Sequence, residues 1–533
     1  MTKKLLLLLL LCLLTGTGYA QRKLQMADVY SNGMVLPRNT PFSLRGKGRP
    51  RQPVFYELAG LRDTTICNAR GEWSAPVKPL PAGGPYELLV TQGRDSLRFK
   101  EVWIGEVWLC SGQSNMELTL AEAEHTAAEL AAADTMRRVH FYHMRSAWPV
   151  YKQVWTAEQC DSVDRGLFIL PAQWEECNAE RAKAFSAIGY HFARLLADSL
   201  KCHVGIILNA VGGSTTEGWI DTTQLARRVP EIMRGNWRQN DSIMAWARQR
   251  ADYNLSAMGT APHSHPYEPG YLYRHAISTL DRYPVRGVLW YQGESNAELP
   301  HMHERLFTLL VDSWRREWQA PRMPFIFAQL SSLSTRPSWP AFRNSQRQLA
   351  QRMPAMWMTV TSDLGDSLDV HPRRKRQVAE RMAAQALHHV YHREHVPADG
   401  PRPLLLTQMP GKPTAMLRFA GGTTLQSADG APLRGFEVKG RDGQWHTPDT
   451  VIVQGNMLYL PCSTVRRISA VRYGWQPYTD ANLVDAHGLP CSTFEVALGS
   501  ATMRKPGVKA RTTVPPLRRA TPARQPSMPH LTR

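Results

Sequence analysis

The chain has 533 residues, 43% of them hydrophobic, and a formal charge of +19. At ~150 residues per domain this length holds about three domains, and the apolar content excludes a disordered or fibrous protein. The charge is no nucleic-acid footprint: eight Lys or Arg and no acid fall in 501–533 and two Lys in the first four residues, which leaves +9 of the +19 for the rest.

The N-terminus, residues 1–20, reads as an export signal. Lys3 and Lys4 precede an apolar run from Leu5 to Leu14, and Gly18-Tyr19-Ala20 is a small-residue cleavage site. The run is shorter than the ~20 residues that span a bilayer, and Cys12 lacks the small residue that precedes a lipid-attachment cysteine. The mature chain is therefore expected to begin at Gln21, to be periplasmic or secreted, and to carry no transmembrane segment. Seven cysteines remain, too few for a disulfide scaffold and odd in number. Cys160 with Cys177 is the one candidate bridge.

Residues 21–100 contain β-rich runs (PFSLRG, PVFYEL, YELLVTQG, SLRFKEV) between Gly, Pro and Asn turns, the pattern of a β-sandwich-like domain. From 101 to 400 the texture is α/β. Five buried-strand runs, EVWLC, VGIILNAV, VRGVLWYQ, PFIFAQL and AMWMTVTSD, alternate with amphipathic stretches such as ERAKAFSAIGYHFARLLADSL. They predict a five-stranded parallel sheet covered by helices on both faces. Residues 401–498 return to β-type runs (TAMLRFA, GFEVKG, TVIVQGNMLYL, RISAVRYGW), a C-terminal β-module, and 499–533 read as a disordered, basic, Pro-rich tail.

In an open α/β sheet, ligands bind beyond the carboxyl ends of the strands. Four of the five predicted ends carry unusual residues: Gly112-Gln113-Ser114-Asn115; Gly212-Gly213-Ser214; Gln292-Gly293-Glu294-Ser295-Asn296; and GDSLDVHP, with Asp366, Asp369 and His371. A serine hydroxyl is a weak nucleophile that needs a base, normally a histidine oriented by an acid. Ser114 fits the nucleophile, on a turn before the helix-favouring MELTLAEAEHTAAELAAAD. His371 fits the base, at the start of the predicted helix PRRKRQVAERMAAQAL with Pro372 at its first position, and Asp369 fits the orienting acid. The N–H groups of Ser114 and of Gly212 or Gly213, with the Gln292 amide, would supply oxyanion donors.

Taken singly, each part has a plain structural reading: Ser114 as a turn serine, Gly212-Gly213 as a turn, Gln292 to Asn296 as loop residues, Asp369 as a helix cap. It is their convergence on the ends of one sheet that points to acyl transfer. Trp108, Trp219, Trp290 and Tyr291 lie near these blocks and are candidates either for sugar stacking or for the core. His388, His392 and His395 fall at helical spacing i, i+4, i+7, but no HExxH pattern accompanies them, so no metal or other cofactor is expected.

At GEVWLCSGQSNME, NAVGGSTTEGW, GVLWYQGESNA and DVHPRRKRQVAERMA, the chain resembles the sialate O-acetylesterase family of the SGNH hydrolase superfamily. MVLPRN, FSAIGYHFARLL, HPYEPGYLY and VRYGWQPYTDANLVDAHGLPCSTF agree as well, so that the resemblance covers about residues 25–497. It implies a three-layer α/β/α, flavodoxin-like core with accessory β-modules, and metal-independent hydrolysis of acetyl esters on sugars. It carries Ser114 over as nucleophile and His371 as base, with Gly212, Gly213, Gln292, Glu294 and Asn296 around the oxyanion and substrate. For the acid it favours Asp369, two before the histidine. Many SGNH enzymes place the acid three before, where this chain has Leu368, so Asp366, Glu294 and a Ser–His dyad stand as alternatives. Pro37 after MVL and LYRHAI near residue 272 depart from the family pattern. The expected partner is an O-acetylated glycan, with 9-O-acetylated sialic acid first, acetylxylan second and non-catalytic glycan binding third.

Overall fold

The computed structural model describes residues 23–151, 153–259, 261–420 and 424–499; the leader and most of the tail lie outside them. Seven strands open the chain: β1 (Val35–Pro37), β2 (Phe42–Lys47), β3 (Pro53–Leu58), β4 (Leu61–Ile66), β5 (Glu72–Val77), β6 (Gly83–Gln92) and β7 (Asp95–Gly112). Alternation places Leu44, Trp73, Ala75 and Val77 of the β2–β5 pair inward, with Val54, Tyr56, Leu58, Leu88 and Val90 from β3 and β6 in the same core.

SLRFKEV and EVWLC turn out to be one strand. β7 runs 18 residues and pairs with β6 through its first part, then lies between β10 (Val204–Ala210) and β11 (Gly287–Tyr291). The bend comes where the β6–β7 register shifts and Glu101 takes φ 55°, a bulge that turns the strand from one sheet into the next.

All five predicted core strands are present, but the parallel set has six. With β8 (Val139–His143), β9 (Trp174–Glu176), β12 (Phe325–Ala328) and β13 (Met356–Thr359), the order is β13-β12-β11-β7-β10-β8-β9, parallel throughout except for β9 at the edge. The sequence VHFYH of β8 hides its strand because each face carries a histidine, of which His140 is buried. His140 sits 2.8 Å from His203, and burial, then His203, pushes its pKa down to about 3, so the ring is carried neutral in the core.

Strand alternation feeds two apolar layers. Val288 and Trp290 of β11 join Leu306, Leu310 and Trp314 of the helix Pro300–Glu317; Leu289 and Tyr291 join Ile188, Phe192 and Leu196 of Ala187–Leu200 and Val378 and Met382 of Lys375–Gln385. The fold is mixed α/β with a mostly parallel central sheet and added β-rich modules. Trp108, Trp219, Trp290 and Tyr291 are fully buried and belong to these layers, so none offers a face to sugar. Cys160 and Cys177 are not bonded. Both are buried, one in each layer, with the sheet between them.

Beyond residue 400 the strands are antiparallel: Pro403–Gln408, Thr414–Phe419, Met457–Pro461 and Ile452–Gln454 form one sheet, and Trp445–His446, Phe436–Gly440, Ile468–Tyr473 and Phe494–Ala497 another, around Leu417, Phe419, Val438, Leu458, Val471 and Phe494. Arg343, in the helix Trp339–Arg352, joins this part to the core. Its buried guanidinium donates to Ser332 Oγ (3.2 Å), Pro477 O (3.2 Å) and Gly474 O (3.1 Å), and burial pulls its pKa down to about 9.

The predicted helix containing His388, His392 and His395 ends early. It passes into a wider turn at Ala386–Val390, His388 Nδ1 bonds Val396 O at 2.8 Å, and His392 has φ 55°, so the three rings share no helical face. Among the described residues, no three metal-ligating side chains converge.

Candidate active site

The corner at Gly112 depends on glycine. Its φ is +135°, and a Cβ there would lie 2.1 Å from Tyr291 O. The next residue ties two strand ends together: Gln113 N–H bonds Tyr291 O at 3.0 Å, and Gln113 Oε1 accepts from Gly293 N and Ser295 N. Ser114 then opens α1 (Ser114–Glu117), which is only four residues long. The long helix expected after Ser114 is interrupted because Leu118 turns to ψ 122° and Thr119 is extended, bridged to Ser186 and capped by Glu122, before α2 (Thr126–Ala133) begins.

His371 Nε2 stands 2.8 Å from Ser114 Oγ. His371 lies on the loop before α6 rather than at a helix start; counting Ala187–Leu200, Pro300–Glu317 and Trp339–Arg352 as α3 to α5, α6 is Lys375–Gln385. Its pKa is held below the usual imidazole value by burial and then by the nearby Lys375 ammonium, with Asp369 acting in the opposite sense. The Asp369 carboxylate accepts from the backbone N–H of His371 at 2.8 Å but is 3.9 Å from Nδ1, beyond hydrogen-bond range. Asp366 caps the N–H groups of Leu368 and Asp369, which hold its pKa below the usual carboxylate value. These two acids build the loop that presents the imidazole.

The third block behaves differently from expectation. Gln292 gives its amide hydrogens to Ser214 O (3.2 Å) and Asn296 Oδ1 (2.6 Å) and accepts from Thr216 Oγ1 (2.8 Å), so the side chain is consumed in the scaffold instead of facing an oxyanion. Asn296 also accepts from Thr216 N and donates to Glu217 Oε2. Ser295 Oγ bonds Gly213 O at 3.0 Å. The result is a buried polar weld between the ends of β10 and β11.

Glu294 is half-buried and does not reach His371. Its Oε1 accepts from Asn115 Nδ2 at 2.5 Å; Asn115 also donates to Val370 O (3.0 Å) and accepts from Lys375 Nζ (2.5 Å). Burial raises the Glu294 pKa, and burial brings Lys375 down to about 7. Asn115 thus links the serine turn, the third block and the histidine loop.

Glu117, a residue the sequence reading passed over, shares the site. Its carboxylate lies against Gly212: a Cβ there would be 3.0 Å from Glu117 Oε2 and 3.7 Å from Ser114 Cβ. Tyr267 Oη donates to Gly212 O at 2.7 Å. Burial pushes the Glu117 pKa up to about 7. The glutamate in GQSNME and the HPY segment were the available signals, but neither spacing nor residue type reveals that they meet.

A family profile described as "SASA: Carbohydrate esterase, sialic acid-specific acetylesterase" matches residues 104–388. The chain is similar to the sialate O-acetylesterase of Pongo abelii, 26% identical over 490 residues that cover 85% of this chain and 87% of the relative. It is likewise similar to that of Mus musculus, 24% identical over 502 residues covering 85% and 89%. The structure of a carbohydrate acetylesterase from Xanthomonas citri superposes with a TM-score of 0.72 at 28% identity, covering 89% of this chain and 99% of that one. With its serine–histidine pair at the strand ends and the matched stretch spanning more than half its length, the chain belongs to the sialic acid-specific acetylesterase family of carbohydrate esterases and is an esterase.

Proposed function

We propose that the protein is an exported O-acetylesterase that removes the 9-O-acetyl group of sialic acid through an acyl-enzyme on Ser114. The observation that carries the mechanism is the 2.8 Å contact between Ser114 Oγ and His371 Nε2. Ser114 Oγ attacks the acetyl carbonyl carbon while its proton passes to Nε2; the imidazolium returns that proton to the departing sugar oxygen. Water then attacks the acetyl-serine carbonyl and gives a proton to Nε2, which passes it to Ser114 Oγ as the acyl C–O bond breaks and acetate leaves. An imidazole pKa below its usual value keeps the base neutral at neutral pH.

The tetrahedral oxygen is received by the backbone N–H groups of Ser114 and Gly212. Gly213, Gln292 and Asn296 hold the Gly212 turn in place, Glu294 anchors Asn115, and Asp369 shapes the histidine loop. The sialic acid substrate is supported by the family and by the relatives' names, and export by the leader sequence.

The test is acetate release by the chain from Gln21 onward and by its Ser114→Ala form, from 9-O-acetylated sialic acid and acetylated xylan in parallel. Serine-dependent release from the sialic acid is expected; preference for xylan moves the substrate, and release that persists in Ser114→Ala overturns the nucleophile.

A further inference from the structure

The Gly212 N–H that should receive the oxyanion has a carboxylate beside it. A Cβ built on Gly212 would lie 3.0 Å from Glu117 Oε2, at a point also flanked by the Ser114 side chain. No ion pair reaches Glu117 among the described residues: the charged and titratable groups around it are Glu122, a like charge, Tyr267 over the Gly212 turn, and His371 across Ser114. Behind these, Lys375 is spent on Asn115 Oδ1, and Arg250 lies toward Tyr267. The Gln292 amide, the side-chain donor expected from the sequence, is committed elsewhere.

We propose that Glu117 gates the oxyanion site beside Gly212: its neutral form admits the ester carbonyl oxygen to the Gly212 N–H, and its ionised form repels the negative charge that develops there. The inference rests on Ser114 being the nucleophile. A carboxylate and an alkoxide held side by side in a partly buried site repel each other strongly, whereas a carboxylic acid is neutral and brings an O–H of its own. The acid keeps its proton throughout; the proton from Ser114 still travels through His371 to the sugar oxygen. With the Glu117 pKa pushed by burial up to about 7, the gate closes within the range where His371 is already a competent base.

The experiment is the pH profile of kcat/KM for 4-nitrophenyl acetate, with wild type, Glu117→Gln and Ser114→Ala. The wild type is expected to rise as His371 loses its proton and to fall above neutrality about tenfold per pH unit, as one ionisation dictates. Glu117→Gln, neutral at every pH, is expected to keep the acid limb and lose the alkaline one. An unchanged alkaline limb in Glu117→Gln overturns the gate. Turnover that does not depend on Ser114 overturns the assignment beneath it instead. A readout independent of turnover follows from the sign of the shift: the folded chain holds a proton at Glu117 between about pH 4.5 and 7 that the unfolded chain has lost, so the wild type loses stability as pH rises through that window. The Tm of Glu117→Gln minus that of wild type should therefore grow from pH 4.5 to 7 and stay level above; a difference independent of pH overturns the proposal even if Glu117→Gln is inactive.

Discussion

His371 Nε2 and Ser114 Oγ meet at 2.8 Å although 257 positions separate them in the chain. Among the described residues the other ring nitrogen has no such partner: Asp369 is 3.9 Å from Nδ1, and its side chain is 59% exposed. A solvated carboxylate beyond hydrogen-bond reach contributes little to imidazolium stability.

That asymmetry sets the first prediction. His371→Ala should lower kcat by ~10²- to 10⁴-fold, the usual worth of a general base, while Asp369→Asn, which can still accept from the His371 N–H, should lose less than about tenfold. Equal losses in acetate-release kinetics would make Asp369 a full triad member.

Lys375 acts on the same imidazole from the other side. Its ammonium, after burial, holds the His371 pKa down. Lys375→Met removes that charge, so the His371 pKa should rise and the acid limb of kcat/KM move to higher pH. A limb that stays in place, or moves to lower pH, refutes the coupling.

Gln292 is predicted to matter for stability before chemistry. Gln292→Ala would strip partners from Ser214 O, Asn296 and Thr216, all buried, at about 1 to 3 kcal/mol for each group left unsatisfied. The expected result is a clear drop in urea midpoint, with kcat of the folded fraction affected less than in His371→Ala. A full-stability variant with kcat reduced a hundredfold or more would restore Gln292 as an oxyanion donor.

Arg343 is the corresponding test for the C-terminal β-module. Arg343→Met takes the donor from Gln476 O and one of two donors from Ser332 Oγ and from the carbonyls of Gly474 and Pro477, and a loss of about 1 to 3 kcal/mol is expected. Proteolysis should then cut first between 400 and 499. Resistance equal to wild type would show that apolar packing alone holds the module.

Much of this was legible in the chain itself. Strand ends rich in Gly, Ser, Asn and Gln mark where the polar blocks converge, because apolar runs mark buried parallel strands and ligands bind past their carboxyl ends. The five apolar runs mark their strands, but β8 does not show, since VHFYH carries two histidines that look polar although His140 is buried and neutral. The helix after Ser114 was overextended because propensity in AEAEHTAAELAAAD says nothing of the Thr119–Ser186 bridge that breaks it.

By itself, then, the sequence determined the strand-and-turn order, the serine and histidine, and the family. Those follow from local patterning and from motifs of fixed chemistry. The tertiary structure alone decided which polar groups meet. Gln292, Asn296 and Thr216 bond one another, Asp369 turns to the backbone, and Glu117 comes up against Gly212. A side chain's donors and acceptors can be listed from its type, but their partners are chosen by strands brought side by side from distant parts of the chain, and burial then sets which of the charges the fold tolerates.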